Sequence, residues 1–241
     1  MLDVMESANI QQVSATVSIK MGTPRIGIRS YMSGEMLRSA ARFADIAQSI
    51  EDQHPSEWKS PHVEEHRDYV ISSIVNSALF LEAMINELFT DALEGHGINN
   101  DGYIAPLGEK TIALMKSWWE ESGDMDKTLA KYQILLSFAG QPKFDRGEGP
   151  YQSAALLIGL RNRIVHYKPE TVYGDARHRL EDKLSGKFKD NALVPSQSSN
   201  WWPDRALGAG CAKWSHESAK AFTDEVSKRL NIKPNYQRLG L

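Results

Sequence analysis

A long apolar stripe through residues 62–93 is the sequence feature that most constrains the fold of this chain. Its apolar side chains recur every three or four residues, which is the spacing of one face of an α-helix. Gly95 and Gly97 follow directly, and glycine commonly ends a helix. The stripe comprises Val70, Ile71, Ile74, Ala78, Leu81, Ile85, Leu88 and Ala92. The sequence therefore predicts one long helix here.

Further helices are predicted on both sides of this one. The first begins at Ser33, whose hydroxyl can cap a helix, and its apolar stripe continues to Ala47. The others cover residues 107–121, 124–138, 149–170, 176–188 and 211–230. The stretch 185–210 has no periodicity, and connections of this length are usually functional or mobile. We therefore predict an all-α fold.

Residues 13–31 have a different pattern from the rest of the chain. Apolar and polar residues alternate strictly over 13–21 and again over 25–31, with Gly22, Thr23 and Pro24 between them. This pattern predicts a short N-terminal β-hairpin. Because two strands alone are marginally stable, we expect the hairpin to lie against another part of the protein.

Three segments follow from these patterns. We expect residues 1–32 to form a β-hairpin appendage and residues 33–170 to form a helical core. Residues 171–241 would supply a basic helix, a long loop and a final helix that packs on the core.

Composition narrows the class of protein. The 241 residues suit one large domain, or one domain with an appendage. A single cysteine, Cys211, excludes an intrachain disulfide and fits a reducing compartment. No uninterrupted apolar run reaches the roughly 18 residues of a membrane helix, and the first residues lack a signal-peptide pattern. We expect a cytoplasmic protein without membrane contact. The net charge of −3 shows that the protein is not basic overall, so any nucleic-acid surface would be local.

The segment 149–170 changes character along its length. Residues 154–160 are apolar on every side, which predicts a helix buried in the core. Four polar side chains follow within two turns, and Pro169 then ends the helix. These side chains are Arg161, Asn162, Arg163 and His166. The helix would therefore present a cationic, titratable tip at a surface or an interface.

The chemistry of this tip suits cleavage of RNA without a metal. On a helix, Asn162 and Arg163 would share a face with His166. Such cleavage needs a base for the 2′-hydroxyl, an acid for the leaving oxygen and a cation for the phosphorane. Histidine suits the proton transfers near neutral pH, and arginine suits the charge. The alternative is a basic helix end with solvated charges, which the helix dipole favours. Chemistry alone favours that alternative.

The hexapeptide 161–166 has the form Arg, four residues, His, with Asn162 directly after the arginine. Preceded by an apolar helix, it resembles the signature of HEPN domains (higher eukaryotes and prokaryotes nucleotide-binding). Residues 78–89 of the long helix are similar to the second helix of many such proteins. The resemblance implies an up-and-down HEPN-like helical bundle over residues 33–170, here with an N-terminal hairpin and an extra C-terminal helix.

The resemblance implies a function as well as a fold. It implies a metal-independent endoribonuclease without a cofactor, often a toxin or an antiviral defence factor. It also implies a homodimer with a composite cleft between two motif helices, RNA as substrate, and an antitoxin or regulatory protein as a further partner. Arg161 and His166 would be catalytic, and Asn162 would be the polar residue that commonly follows the arginine. Tyr167 receives no role. Some family members have lost catalysis, so the alternative is a silent module for nucleotide or RNA binding or for protein assembly.

Two further groups of residues are candidate supports for this site. Glu82 and Asn86 lie four residues apart on the long helix, and a buried carboxylate needs a partner such as Arg161 or Arg163. They would aim the arginine, tie two helices together, or do both.

Basic residues beyond the motif could hold an RNA backbone. These residues are Lys168, Arg177 and Arg179. The alternative is a solvated helix face whose cations pair with Glu181 and Asp182.

Two other patterns have competing interpretations. Residues 62–66 match H-x-x-E-H, a zinc-hydrolase pattern, but they lie in an exposed first turn and no clear third ligand follows. Trp201 and Trp202 could stack on bases, although paired tryptophans in a loop more often pin that loop to the core. We favour pinning, and we place the zinc hypothesis last.

Overall fold

The computed structural model describes residues 29–59, 61–99, 102–122, 127–169, 179–195 and 201–238. The chain divides into Met1–Ser30 and Tyr31–Leu241, and almost all described residues belong to the second unit. Within the described ranges the helices are α1 (Ser33–Gln53), α2 (His62–Glu94), α3 (Gly108–Ser122), α4 (Thr128–Phe138), α5 (Gly149–Val165), α6 (Arg179–Leu184), α7 (Ala209–Leu230) and α8 (Asn235–Arg238).

No strand occurs in the described ranges, so the all-α prediction is confirmed for them. The predicted β-hairpin lies almost wholly outside the described residues. Its last three residues, 29–31, are described and have no regular structure.

Helix α2 is the centre of the bundle, as its apolar stripe predicts. It packs against α1, α3, α4, α5 and α7. Its side chains at Ile74, Leu81 and Phe89 are fully buried. Burying a side chain of this size stabilises a fold by about 1.5–3 kcal/mol. Gly95 ends the helix at a φ of 76°, a left-handed conformation that glycine adopts without strain.

Helix α7 belongs to the core and does not merely cover it. It packs along α1, α2 and α5. The Phe222 ring is fully buried and meets the rings of Tyr132, Phe144 and Tyr151 at centroid distances of 4.9, 5.3 and 6.0 Å. Aromatic pairs at such separations contribute beyond the area that they bury. The region 33–170 therefore closes its core only with α7.

A buried carboxylate joins three of these helices. Glu51 Oε1, near the end of α1, accepts the backbone N–H of Ala209 at 2.7 Å. The same oxygen lies 2.9 Å from Nε2 of His66, and an ionised carboxylate only accepts, so the imidazole is the donor. Glu51 and His66 are 4% and 1% exposed. This contact fixes the first turn of α7 against α1 and α2.

The start of α1 is capped by a carboxylate from α2 and not by its own first residue. Glu87 Oε1 accepts the backbone N–H groups of Met32 and Ser33, each at 2.8 Å. The Ser33 hydroxyl donates to Glu87 Oε2 at 2.6 Å, so it does not cap its own helix. The prediction that Ser33 is the capping residue is therefore wrong, although the helix does begin there.

Two predictions about α5 are wrong. The helix is buried along one face only, through Tyr151, Ala154, Leu157 and Leu160. Ala155, Leu156 and Ile158 are half-buried and Gly159 is exposed, so the segment is not surrounded by protein. The helix also ends at Val165 and not near Pro169. A helical Pro169 would clash with the Val165 carbonyl four residues earlier, which accounts for the earlier end.

The paired tryptophans pin their segment to the protein. Trp201 and Trp202 are 8% and 6% exposed, within a helical turn at Trp201–Arg205. Trp201 Nε1 donates to Asp190 Oδ1 at 3.2 Å, and the Trp201 ring stacks on Phe188 with centroids 6.3 Å apart. Their burial leaves no open face for base stacking.

One helix in the described ranges, α2, is long and apolar enough to cross a membrane by length and composition. Half of its most apolar window is buried inside the protein, which is typical of a core helix.

Replacing Glu51 with alanine tests the junction of α1, α2 and α7. Glu51→Ala leaves the imidazole of His66 and the N–H of Ala209 buried without their acceptor. We expect the free energy of unfolding in urea to fall by about 3–5 kcal/mol. Glu35→Ala is the matched control, because Glu35 pairs with Arg38 at the surface and is 54% exposed. That control should cost less than about 1 kcal/mol, and an equal effect of both substitutions would contradict the assignment.

Candidate functional site

The motif residues lie at the C-terminal end of α5 and just beyond it. Arg161 and Asn162 are in the last turns of the helix, whereas His166 is the first residue after it. The His166 backbone N–H donates to the Asn162 carbonyl at 2.9 Å, at φ −106° and ψ 39°. His166 therefore lies one residue beyond the helix and is joined to its last turn by this bond. The side chains of Asn162 and His166 are exposed, and Arg163 is half-buried.

Arg161 is held from α2 by the predicted carboxylate. Its Nη2 lies 3.4 Å from Oε2 of Glu82. The Arg161 side chain is 20% exposed and that of Glu82 is 45% exposed, so this carboxylate is not buried as the sequence argument assumed. The Nε atom of Arg161 is buried and has no hydrogen-bond partner among the described residues. The contact aims the guanidinium and leaves donors for a ligand.

Asn86 does not support Arg161. Its side-chain oxygen accepts Nζ of Lys131 from α4 at 3.0 Å. The same ammonium lies 4.7 Å from the ring centroid of Trp119. Asn86 therefore ties α2 to α4, whereas Glu82 ties α2 to α5.

The three predicted RNA-contacting residues are only partly described. Lys168 is exposed, three residues beyond the end of α5. Arg177 lies outside the described residues, and Arg179 is described only as the first residue of α6. Residues 176–178 of the predicted basic helix lie outside the described residues, and α6 ends at Leu184, four residues before the predicted end.

An open pocket of about 620 Å³ adjoins the motif, between α4, the connection 139–148 and α5. Four of its lining residues are cationic, and the described lining includes no carboxylate. The cations are Lys127, Lys143, Arg146 and Arg161, and Asn162 also lines the pocket.

Sequence reasoning does not find Lys127, Lys143 or Arg146. They come from the start of α4 and from the α4–α5 connection, so no spacing within one segment relates them. The only local signal is a connection rich in glycine and charge.

The zinc hypothesis finds no support in the described part of the chain. His66 is buried against Glu51, and the ring of His62 stacks on His54 with centroids 4.0 Å apart. The described residues contain no group of three or more His, Cys, Asp or Glu arranged to hold a metal.

The single cysteine offers no nucleophile. Cys211 is fully buried in α7, and burial raises the pKa of its thiol well above the ordinary value. The thiol is therefore protonated and shielded at neutral pH, and such cysteines are inert.

Comparison of the chain with protein-family models, with curated proteins and with solved structures gives no significant match.

Removing the charge of Glu82 tests whether its role is structural. Because Glu82 is 45% exposed, its contact with Arg161 is screened by solvent. We expect Glu82→Gln to change the free energy of unfolding by less than about 1 kcal/mol. Asp91→Ala is the control on the same helix. Asp91 is fully buried and accepts the hydroxyls of Tyr31 and Tyr103, so its loss should cost more than about 2 kcal/mol. A large loss of stability in Glu82→Gln would make Glu82 a structural residue.

Proposed function

We propose that this protein is a metal-independent endoribonuclease of the HEPN type, of the kind found among toxins and antiviral factors. One observation carries the proposal. An exposed imidazole, His166, directly follows the helix that holds Arg161, and Glu82 fixes that arginine in the wall of a cationic pocket. A guanidinium in the wall of an anion-attracting pocket and an exposed imidazole at the end of the same helix are groups that phosphodiester transfer requires.

The proposed reaction uses the 2′-hydroxyl of RNA as its nucleophile. His166 accepts the proton of that hydroxyl, and the 2′-oxygen attacks the adjacent phosphorus. Arg161 stabilises the charge of the phosphorane, and Asn162 orients a phosphate oxygen. The bond from phosphorus to the 5′-oxygen then breaks, and the products are a 2′,3′-cyclic phosphate and a 5′-hydroxyl.

The leaving 5′-oxygen needs a proton, and α5 supplies no second imidazole. We assign this role to His166 of a second copy of the chain. The end of α5 is suited to face such a copy, because Val165 and Tyr167 are 53% and 52% exposed. Exposed apolar side chains beside polar ones are typical of interaction surfaces. The active site would then be composite, with each copy contributing an arginine and a histidine.

The second candidate function is a catalytically silent module that binds nucleotide or RNA or assembles with another protein. Lys127, Lys143 and Arg146 favour it, because they are cations of the pocket that lie outside the motif and would bind an anion without catalysis. Cleavage separates the two functions.

Cleavage of total RNA in EDTA is the direct test. We expect wild-type protein to cut RNA and to leave 2′,3′-cyclic phosphate ends. His166→Ala and Arg161→Ala should each lower the rate at least about 100-fold, because each removes a group that acts in the transition state. His96→Ala is the control, because His96 is a half-exposed imidazole after α2.

Three results would contradict parts of this mechanism. Cleavage that survives either substitution removes that residue from the reaction. Cleavage abolished by EDTA indicates a metal. An intact dimer that cuts no RNA favours the silent module.

The dimer has its own test at the end of α5. Val165→Asp places a charge on the exposed apolar surface without altering the core, because Val165 is 53% exposed. We expect wild-type protein to sediment as a dimer and the variant to sediment as a monomer with little cleavage. Leu114→Asp on α3 is the matched control, since Leu114 is also exposed, at 39%. A wild-type monomer that cuts RNA would overturn the composite site.

A further inference from the structure

The described lining of the pocket beside the motif is cationic. No ion pair joins Lys127, Lys143 or Arg146 to a carboxylate of the described residues. Some exposed cations elsewhere are paired, as Arg38 is with Glu35 at 3.0 Å. Cations gathered around one concave surface repel each other, and their field attracts an anion.

Two of these cations are held in place by the core. The backbone N–H of Phe144 donates to Gln133 Oε1 at 2.9 Å, and Gln133 Nε2 donates to the Phe144 carbonyl at 2.9 Å. Arg229 of α7 donates to the Pro142 carbonyl at 3.1 Å and lies 3.8 Å above the Phe144 ring. These contacts anchor Pro142 and Phe144, the two neighbours of Lys143. Arg146 lies two residues after Phe144. The backbone that carries both cations is therefore set before a ligand arrives, which lowers the entropy cost of binding.

The floor of the pocket is apolar. Leu129 and Tyr151 are each 8% exposed there, and Ile158 is half-buried beside them. The Tyr151 ring is fixed by Phe144 and Phe222 at centroid distances of 6.2 and 6.0 Å. Because Leu129 and Tyr151 are this deeply buried, a flat apolar group would rest on the half-buried Ala155 and Ile158 while an anionic group meets the cations.

The dimensions fit one nucleotide. Pockets of roughly 300–1,000 Å³ hold small ligands, and this one has about 620 Å³. The apolar floor of the pocket suits a nucleobase, and its cationic rim suits the phosphate of the same nucleotide. Arg161 and Asn162 form one wall, so an occupant of the pocket lies next to the proposed catalytic groups.

We propose that this pocket holds one nucleotide of a single-stranded RNA substrate, next to the bond that is cut. Lys143 and Arg146 bind its phosphate, Lys127 adds to the field, and the base lies over Ala155 and Ile158. The assignment of the occupant as substrate rests on the proposed function.

Binding can be measured separately from cleavage. The probe is a fluorescent 12-residue RNA with 2′-O-methyl groups throughout, which lacks the nucleophile and cannot be cut. Fluorescence anisotropy gives its Kd with the full chain at several salt concentrations. We expect Lys143→Ala/Arg146→Ala to raise Kd at least about tenfold. The slope of log Kd against log salt should fall by about 0.7, because a single strand contributes roughly 0.7 per neutralised phosphate and both cations bind one phosphate.

Two matched variants isolate the pocket from the overall charge. Lys110→Ala/Lys116→Ala removes the same charge from exposed positions on α3 that do not line the pocket, and it should change Kd less than about threefold. Lys143→Arg/Arg146→Lys keeps the charge and should retain binding within about threefold. If the two alanine pairs weaken binding equally, the pocket is not the site.

The remaining outcomes separate this proposal from the proposed function. Cleavage by the wild type together with unchanged binding by Lys143→Ala/Arg146→Ala overturns the pocket assignment and leaves the ribonuclease standing. Pocket-dependent binding without cleavage supports the nucleotide site and removes the ribonuclease. Displacement of the RNA by micromolar adenosine 5′-monophosphate would assign the pocket to a free nucleotide and overturn the substrate role.

Discussion

The contact between Glu51 and the first turn of α7 is the interaction on which the other parts depend. A carboxylate at a helix N-terminus accepts a free N–H and also meets the positive end of the helix dipole. Here the carboxylate is buried and His66 satisfies it from a second helix. Helix α7 is thereby fixed against α1 and α2, and it reaches the functional region through Phe222 and Arg229. The candidate site is set in place by a polar contact that lies outside it.

The helices that could be predicted are those whose signals are local. For α2, the apolar spacing and Gly95 give both ends to within a residue or two. Helix α7 is similarly clear from its apolar side. That α5 is buried along one face only could not be predicted, because an apolar segment does not reveal how many neighbours reach it. The earlier end of α5 could have been predicted, because a helical Pro169 would clash with the Val165 carbonyl.

The residues of the candidate site also divide into those that sequence patterns could predict and those that they could not. The contact of Glu82 with Arg161 could be predicted, although the premise of a buried carboxylate was wrong, because the Glu82 side chain is 45% exposed. Asn86 lies one turn from Glu82 on α2, but its side chain binds Lys131 on α4 and not Arg161. The cations of the pocket could not be predicted from the sequence. Lys127 and Lys143 line the same pocket only in the folded chain, where Gln133 binds the backbone of Phe144. A sequence pattern describes one segment, whereas this pocket is formed by three segments that only the fold brings together.

Gly159 lies on the open side of α5, where a Cβ atom would meet nothing within 4 Å. Glycine in the interior of a helix costs about 1 kcal/mol relative to alanine. Within a single chain, Gly159 therefore brings no compensating gain of packing. In the proposed dimer it would allow two α5 backbones to cross at close range, as small residues do where helices meet. A single protomer would be more stable with alanine at position 159, whereas the proposed dimer would favour glycine there.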